Sequence, residues 1–358
     1  MNNMSTFGKN INVSIFGESH GNVMGLTIHH FPAGIKIDEE KIKEKLTLRR
    51  GLSHISTSRI EEDNFEIVSG YFNGYTTGAP LTVLVYNNNT RSRDYDKTKD
   101  LARPSHADYV ANQKYHGFND YRGGGHFSGR ITALIVILGS ICEDALKSSK
   151  IKVISRVKSI GKVFDDSCLD LDKSVENEIF PVVDLTVKEE MMKVIEDCKK
   201  RGDSCGGILE THIYNVPVGI GEPFFDSCES IISHLVFSIP GVKGIEFGGG
   251  FDMCKSNGSL VNDQMIMDDN KVSYKSNFSG GINGGISNGN VITFKTAIKP
   301  TPSIYQEQHT INMKTKENTT LQIVGRHDPV IAIRALHVVN AISYYAILEM
   351  MMESRLWK

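Results

Sequence analysis

The alternation of apolar and polar residues predicts both strands and helices along this chain. Short apolar runs bounded by glycine, proline or asparagine are typical of strands, whereas longer runs with apolar residues three or four apart are typical of helices. The predicted strands are "NINVSIF" (10–16), "GLTIHHF" (25–31), "PLTVLVY" (80–86), "IKVISRV" (151–157) and "NVITFKTAI" (290–298). The predicted helices are "DEEKIKEKL" (38–46), "RITALIVILGSICEDALK" (130–147), "ESIISHLVFSI" (229–239) and "ALHVVNAISYYAILEMMM" (335–352). The pattern therefore predicts a mixed α and β protein with many hairpin-like turns.

Two stretches of the chain follow the same order of features. Residues 25–46 and 207–235 each run from a glycine through a strand, a P-x-G-I turn and an acidic step to a helix. Such self-similarity indicates a supersecondary unit used twice, although coincidence remains the alternative. We therefore expect one domain over residues 1–358 with two similar halves, roughly 1–150 and 200–358, and a ligand site at the seam.

The charge of the chain is balanced overall but uneven along its length. Lys and Arg number 40 against 42 Asp and Glu, for a net charge of -2, which argues against a nucleic-acid or membrane-surface binder. Arginine is concentrated between residues 49 and 130, at Arg49, Arg50, Arg59, Arg91, Arg93, Arg103, Arg122 and Arg130. Because the guanidinium group binds phosphate and carboxylate well, this enrichment favours an anionic ligand. A solvated basic face would give the same composition.

Cysteines and apolar segments bear on the compartment. The six cysteines form no C-x-x-C pair and no zinc-type spacing, which is typical of reduced thiols in a cytoplasmic protein. The first ten residues lack the apolar core of a signal peptide, and the apolar run from residue 131 meets Glu143 and Asp144 too soon to span a bilayer. We expect no membrane role.

Four polar stretches combine ionisable side chains with turn-forming residues. They are "GESHG" (17–21), "RPSHAD" (103–108), "YRGGGHFSGR" (121–130) and "GRHDP" (325–329). His20 and His106 are candidate general acids because imidazole titrates near neutral pH. Asp108 is placed to hydrogen-bond a ring nitrogen of His106 and fix its tautomer. Each histidine, taken alone, is more often an ordinary solvated or capping residue in a turn.

Two glycine-rich stretches indicate close approach of a ligand to the backbone. The triple glycine at 123–125 precedes an apolar helix, where free N–H groups favour a phosphate, but it matches neither the P-loop nor the dinucleotide-binding pattern. The second stretch, "FSGGINGGISNG" (278–289), suits a flat ring or simply a loop of low steric demand. His, Asp and Glu are abundant, yet no metal-binding spacing is present.

The order of these motifs resembles the chorismate synthase family. The matching stretches are "GESHG", "PAGI", "SGYFNGYTTGAPLTVLVYN", "RSRDY", "RPSHADY", "KYHGFNDYRGGG", "GDSCGG", "VPVGIGEP", "SIPGVKGIEFGGGF", "SGGINGGISNG", "KPTPSI" and "GRHDPV". They cover nearly the whole chain.

The resemblance implies a fold and a reaction. The fold would be α+β, a sandwich of antiparallel sheets and helices with a pseudo-duplicated core. The reaction would convert 5-enolpyruvylshikimate 3-phosphate to chorismate and phosphate, with reduced FMN and no net redox change. Family members are typically cytoplasmic homotetramers. Some reduce their own flavin with NADPH and others depend on an external reductant, and the sequence does not decide between the two.

The resemblance also implies roles for individual residues. The catalytic groups would be His20 as an acid near the substrate phosphate, His106 as a proton donor toward the flavin and Asp328 as the carboxylate that works with flavin N5. The substrate would be bound by Arg49, Arg59, Arg130 and Arg326. The flavin contacts would be His126, Phe127, Ser128, Pro240, Gly241, Gly284, Lys299, Pro300, Thr301, Pro302, Ser303 and Arg326.

Two stretches depart from the family pattern. Many relatives read GGGRSSAR where this chain has "GGGHFSGR", so a titratable His126 replaces a permanent charge beside the flavin. The Arg-Arg-x-Pro-Gly pattern is shortened here to "LRRGLS", which leaves His54 near a position that is often arginine.

Two other classes of function fit parts of the sequence. A metal-dependent phosphate-ester hydrolase would use His20, His106 and Asp328 as ligands. A module that binds RNA or another phosphate-rich ligand would use the arginines.

Overall fold

A computed structural model describes residues 5–50, 63–87, 98–169, 175, 178–323 and 328–357. Its helices are α1 Glu39–Arg50, α2 Asp108–Lys114, α3 Thr132–Ala145, α4 Leu185–Lys200, α5 Cys228–Phe237, α6 Gly258–Val261 and α7 Ala332–Glu353. Its strands are β1 Thr6–Phe7, β2 Asn12–Gly17, β3 Val23–His29, β4 Phe65–Ser69, β5 Tyr71–Phe72, β6 Tyr75–Thr76, β7 Leu81–Tyr86, β8 Lys152–Ile160, β9 Val163–Phe164, β10 Gly207–Tyr214, β11 Val242–Phe247, β12 Met265–Asp268, β13 Lys271–Tyr274, β14 Ile282–Asn283, β15 Ile286–Ser287, β16 Ile292–Ile298, β17 Gln308–Asn312 and β18 Glu317–Leu321. Every strand and helix predicted from the apolar pattern is confirmed, with ends that differ by a few residues.

Two antiparallel sheets enclose the core. The first has the order β1-β2-β3-β7-β4 and the second β9-β8-β10-β16-β11. Helix α3 contacts β3 of the first sheet, α7 contacts β8 and β10 of the second, and α1, α3, α5 and α7 pack on one another between them. The predicted α+β sandwich is therefore confirmed.

The two sheets are built in the same sequence of steps. In each, a central strand (β3 or β10) leads to a helix (α1 or α5), and a two-stranded hairpin (β5–β6 or β14–β15) then precedes the next strand (β7 or β16). A long apolar helix follows, α3 in one case and α7 in the other. This correspondence supports our proposal of a duplicated core in a single domain, with the second unit beginning at β8 instead of near residue 200.

Helices α3 and α7 cross at a glycine. A Cβ atom added at Gly139 of α3 would lie 2.3 Å from the backbone oxygen of Ala341 in α7 and 2.4 Å from its Cα. Backbone atoms cannot rotate away as a side chain does, so only glycine permits this approach.

We expect Gly139→Ala to lower the free energy of unfolding by about 1–3 kcal/mol, because overpacking a tight core contact forces the backbone to shift. Gly258→Ala is the matched control, since its Cβ would meet nothing closer than 3.7 Å. Thermal unfolding of the two variants measures the difference. Equal melting temperatures would contradict this account of the helix crossing.

The N-terminal segment is held by the last helix. The buried Glu349 of α7 accepts backbone N–H groups from Lys9, Asn10 and Ile11 at 2.6, 2.8 and 2.8 Å. Tyr345 donates its hydroxyl to the Ile11 carbonyl at 2.7 Å, and burial raises the pKa of that hydroxyl. Tyr345 and Glu349 of α7 thus fix the segment 9–11, which joins β1 to β2.

Helix α7 is also long and apolar enough to cross a bilayer by composition. Of its most apolar 18-residue window, 89% is buried inside the protein, between the sheets. Its apolar character is thus explained by its place in the core.

All six cysteines are free thiols.

Candidate functional site

A cavity of about 920 Å³ lies where the two halves meet. Its walls come from β1, the end of α1, the segments 103–107 and 123–132, the segment after α5, residues 299–303 and the start of α7. Loops at the ends of rigid elements supply most of the polar groups, which is how binding sites are usually built. The position at the seam was predicted from the sequence echo.

The first motif, residues 17–21, is docked onto the glycine-rich turn. Gly17 has φ of +99°, which glycine adopts without strain. The N–H of Ser19 donates to the Gly125 carbonyl at 3.1 Å, and the Ser19 hydroxyl donates to the Arg122 carbonyl at 3.4 Å. Two motifs a hundred residues apart therefore form one structure.

The triple glycine lies between the two candidate acid histidines. Gly123, Gly124 and Gly125 have φ of +63°, +111° and +53°. A Cβ at Gly123 would lie 2.2 Å from Cε1 of His20, and one at Gly124 would lie 3.4 Å from Cε1 of His106. Gly123 therefore lets the His20 ring pack directly on the backbone, whereas a Cβ at Gly124 would only reach ordinary van der Waals contact with His106.

The sequence suggested that the triple glycine leads directly into α3, but the structure differs. Two 3-10 turns, Gly125–Phe127 and Gly129–Ile131, separate it from Thr132. The Ser128 side chain caps the second turn by accepting from the N–H of Arg130. The extra turns place residues 126–130 along the cavity wall.

His20 is buried and lies beside the cavity, not among its lining residues. It is 6% exposed, and its Nδ1 is 3.2 Å from the Ser19 hydroxyl. Gly123, on which its ring packs, does line the cavity.

His106 lines the cavity and is oriented by Asp108. Its Nδ1 donates to Asp108 Oδ1 at 2.7 Å, so the predicted contact is confirmed and Nδ1 carries a proton. Arg103 donates to the same carboxylate through Nε and Nη2, both at 2.7 Å. Burial works against ionisation of Asp108, but the hydrogen bonds from Arg103 and His106 outweigh it and lower the pKa of this carboxyl. The arrangement leaves Nε2 as the reactive nitrogen of His106.

Arg49 and Arg130 line the cavity from a buried position. They are 1% and 6% exposed, and Arg49 Nη2 donates to the Arg130 carbonyl at 3.5 Å. The Arg130 guanidinium donates to the buried carboxylate of Asp63 and to Asn87 Oδ1. Sequence reasoning missed Asp63, because nothing local links it to Arg130.

Asp328 reaches the cavity beside Arg334. Arg334 Nη1 donates to Asp328 Oδ2 at 2.7 Å, and Arg334 Nε donates to the Arg49 carbonyl at 3.2 Å. Arg334 was not among the residues expected from the sequence, although it stands in the first turn of the predicted C-terminal helix.

Most residues that the resemblance assigned to a flavin lie on the same cavity. Those lining it are His126, Phe127, Ser128, Pro240, Gly241, Lys299, Thr301, Pro302 and Ser303. Pro300 and Gly284 do not line it, and Gly284 lies on the hairpin between β14 and β15. Arg59 and Arg326, like His54, fall outside the described residues.

His126 is held by two hydrogen bonds. Nδ1 is 2.8 Å from the Gly17 carbonyl, which can only accept, so Nδ1 carries a proton. Nε2 is 2.7 Å from the Ser5 hydroxyl. His126 therefore joins the N-terminal segment to the first motif.

The motif "GDSCGG" (202–207) braces two segments of the cavity wall. Ser204 donates its hydroxyl to the Thr301 carbonyl at 2.7 Å, and the N–H of Cys205 donates to the Pro329 carbonyl at 2.9 Å. A Cβ at Gly206 would lie 2.6 Å from the Ile298 carbonyl oxygen. The sequence alone had suggested no role for this motif.

The cavity is strongly cationic. Its cationic lining residues are Arg49, Arg103, Arg130, Arg334, Lys243 and Lys299, and among the described lining residues Asp328 is the one carboxylate. Burial, together with the nearby charge of Lys243, lowers the pKa of Lys299, whose Nζ donates to the Ser105 carbonyl. Like charges held this close favour an anionic ligand.

No group of three His, Cys, Asp or Glu side chains suited to a metal ion occurs in the part of the chain that the structure describes. The metal-dependent hydrolase reading therefore gains no support from these residues.

Comparison with known proteins gives a consistent result. The family model for chorismate synthase matches residues 11–352. The chain is 42% identical over 353 residues to the chorismate synthase of Pyrococcus abyssi, covering 98% of both chains, and 42% identical over 349 residues to that of Chitinophaga pinensis, covering 98% and 97%. A crystal structure of chorismate synthase superimposes with a TM-score of 0.76 at 26% identity, covering 97% of this chain and 93% of that one.

Proposed function

This chain belongs to the chorismate synthase family, and from that premise we propose that it eliminates phosphate from 5-enolpyruvylshikimate 3-phosphate with the help of reduced FMN. The family makes it a lyase of aromatic amino acid biosynthesis. In the proposed reaction a C–O bond to phosphate and a C–H bond break, a double bond forms, and the overall oxidation state is unchanged.

The cationic cavity is the observation that carries this proposal. The substrate has a phosphate and two carboxylates. Six cationic side chains line the cavity, and although Asp63, Asp108 and Asp328 pair with three of them, a net positive charge remains to match the substrate. Charge-assisted hydrogen bonds from arginine are well suited to both kinds of group. Stabilising the departing phosphate would be their main contribution to the rate.

The described residues also fit a flavin. The volume of about 920 Å³ is near the upper end for ligand sites and suits a cofactor together with a substrate. The lining also includes the apolar side chains of Phe127, Ile135, Leu138, Val338 and Ile342, which would pack against a flat ring system. When bound, a reduced flavin would supply electron density to the breaking C–O bond.

The catalytic side chains would act around this ligand pair. His106, with Nδ1 held by Asp108, would hold or release a proton at Nε2. Asp328 would accept a proton at its carboxylate, and His20 would act as an acid near the phosphate. Arg49 and Arg130 would bind the phosphate and carboxylates, with Arg59 and Arg326 as further proposed contacts.

Other properties are proposed from the family. We propose a cytoplasmic homotetramer. We also propose that the flavin is kept reduced by an external reductant, or by NADPH if the chain reduces its own flavin.

The decisive experiment is anaerobic chorismate formation with dithionite-reduced FMN. We expect many product molecules per flavin, because elimination consumes no electrons, and no product with oxidised FMN. A yield that stops near one product per flavin would contradict the catalytic role of the cofactor. Phosphate release without chorismate would favour a hydrolase instead.

The contacts of His126 lead to a prediction about pH. Since both ring nitrogens bind groups of the protein, neither is left to bind the cofactor, and we expect replacement of His126 to leave the pH dependence of FMN binding unchanged. Fluorescence-quenching titrations between pH 6 and 8 should give the same slope for the parent and His126→Gln. A slope lost only in the variant would contradict this expectation and would indicate that His126 binds the cofactor.

A further inference from the structure

Arg334 occupies an unusual position for a cation. It lies in the first turn of α7, which begins at Ala332. The N-terminus of a helix carries a partial positive charge, so a basic side chain is disfavoured there. Stabilisation of the helix therefore does not explain why an arginine occupies position 334.

The contacts of Arg334 instead join two parts of the cavity. Nη1 donates to Asp328 Oδ2 at 2.7 Å, and Nε donates to the backbone carbonyl of Arg49 at 3.2 Å. The side chains of Arg334 and Asp328 are 20% and 10% exposed, so the pair is largely shielded from solvent. The guanidinium fork makes both contacts at once, whereas a lysine ammonium at this position could keep only the contact to Asp328.

The backbone next to Asp328 is fixed independently. Pro329 accepts the N–H of Cys205 at 2.9 Å, and Val330 and Ala332 are fully buried. With the main chain held, the remaining freedom of Asp328 is rotation of its side chain. The guanidinium of Arg334 limits that rotation.

We propose that Arg334 is a positioning residue that holds the carboxylate of Asp328 at the orientation needed for proton transfer. This inference rests on the proposed function, in which Asp328 accepts a proton. Arg334 would act through Asp328, and its effect would fall on kcat more than on substrate affinity.

The test is a double-mutant cycle with Asp328→Asn, Arg334→Gln and the double variant. We expect Arg334→Gln to lower kcat by about 10²-fold, the usual cost of a misplaced catalytic group, with the KM of the substrate changed less than about threefold. In the Asp328→Asn background the same substitution should cost almost nothing further, because the residue that it positions is already lost. Additive effects of the two changes would overturn the proposal.

Two further variants separate positioning from other roles. Arg334→Lys should restore much of kcat, since an ammonium can still donate to Asp328. Arg355→Gln, at the opposite end of α7, removes the same charge and should leave kcat unchanged. Failure of Arg334→Lys to exceed Arg334→Gln would count against the proposal.

Binding measurements complete the test. The Kd of oxidised FMN by fluorescence and of substrate by calorimetry should be within about threefold of the parent value in Arg334→Gln. A large rise in substrate Kd with kcat retained would make Arg334 a substrate-binding residue and overturn the inference. If the parent protein makes no chorismate, the proposed function fails first, and that result is distinct from an active parent whose Arg334 variants are unaffected.

Discussion

Replacing His106 by alanine is expected to lower kcat by about 10²- to 10⁴-fold, the usual contribution of a positioned acid or base. The ring lines the cationic cavity, packs on Gly124 and has Nδ1 committed to Asp108. Only Nε2 is then available for proton transfer. Steady-state assays under anaerobic conditions with pre-reduced FMN measure the loss.

Asp108→Asn tests how the ring is held. An amide can donate to Nδ1 where the carboxylate only accepts, so the variant favours the wrong tautomer and should also reduce kcat. His309→Ala, at an exposed position on β17, is the matched control. Parental turnover in both the His106 and Asp108 variants would remove His106 from the mechanism. His20→Ala should give a comparable loss, because the His20 ring packs on Gly123, which lines the cavity.

Arg130→Ala is expected to damage both stability and substrate binding. Loss of its charge leaves Asp63 with one fewer partner in a buried position, and breaking such a pair typically costs about 3–5 kcal/mol. Loss of a charge-assisted contact should weaken substrate binding by about 1.5–3 kcal/mol. Denaturant unfolding and calorimetry measure the two effects separately.

The double variant Arg130→Met with Asp63→Leu separates these contributions. Removing both charges should recover much of the stability, because a buried ion pair can be replaced by apolar residues, while substrate binding stays weak. Recovery of both properties would place Arg130 in a purely structural role.

Arg49→Ala should weaken substrate binding as Arg130→Ala does, because Arg49 also lines the cavity.

The sequence predicted the fold where the apolar pattern was continuous. β16 and α7 were recognisable because nearly every inward position is apolar. Helix α4 was not predicted, since only Met191, Ile195 and Cys198 are buried on an otherwise charged helix. Its N-cap, Asp184, was a usable signal, because its side chain accepts from the N–H groups of Thr186 and Val187.

The site was predicted where its contacts are local. Asp108 lies two residues from His106, so their hydrogen bond could be anticipated. The contacts of Arg130 with Asp63 and of Arg334 with the Arg49 carbonyl join residues far apart in sequence. No local pattern encodes such pairs, and only the fold reveals them. The same holds for His126, whose partner Ser5 is 121 residues away.

The hydrogen bonds between Glu349 and residues 9–11 affect how the protein folds while it is being translated. The amide of Ile11 finds its acceptor 338 positions later, in helix α7. Chains fold progressively from the N-terminus during translation, so β2 and β3 can pair early. Residues 9–11 can bind Glu349 only after α7 has been synthesised. A chain that stops before Glu349 lacks the acceptor of three backbone N–H groups next to β1, and we therefore expect ligand binding to begin only after α7 has been synthesised.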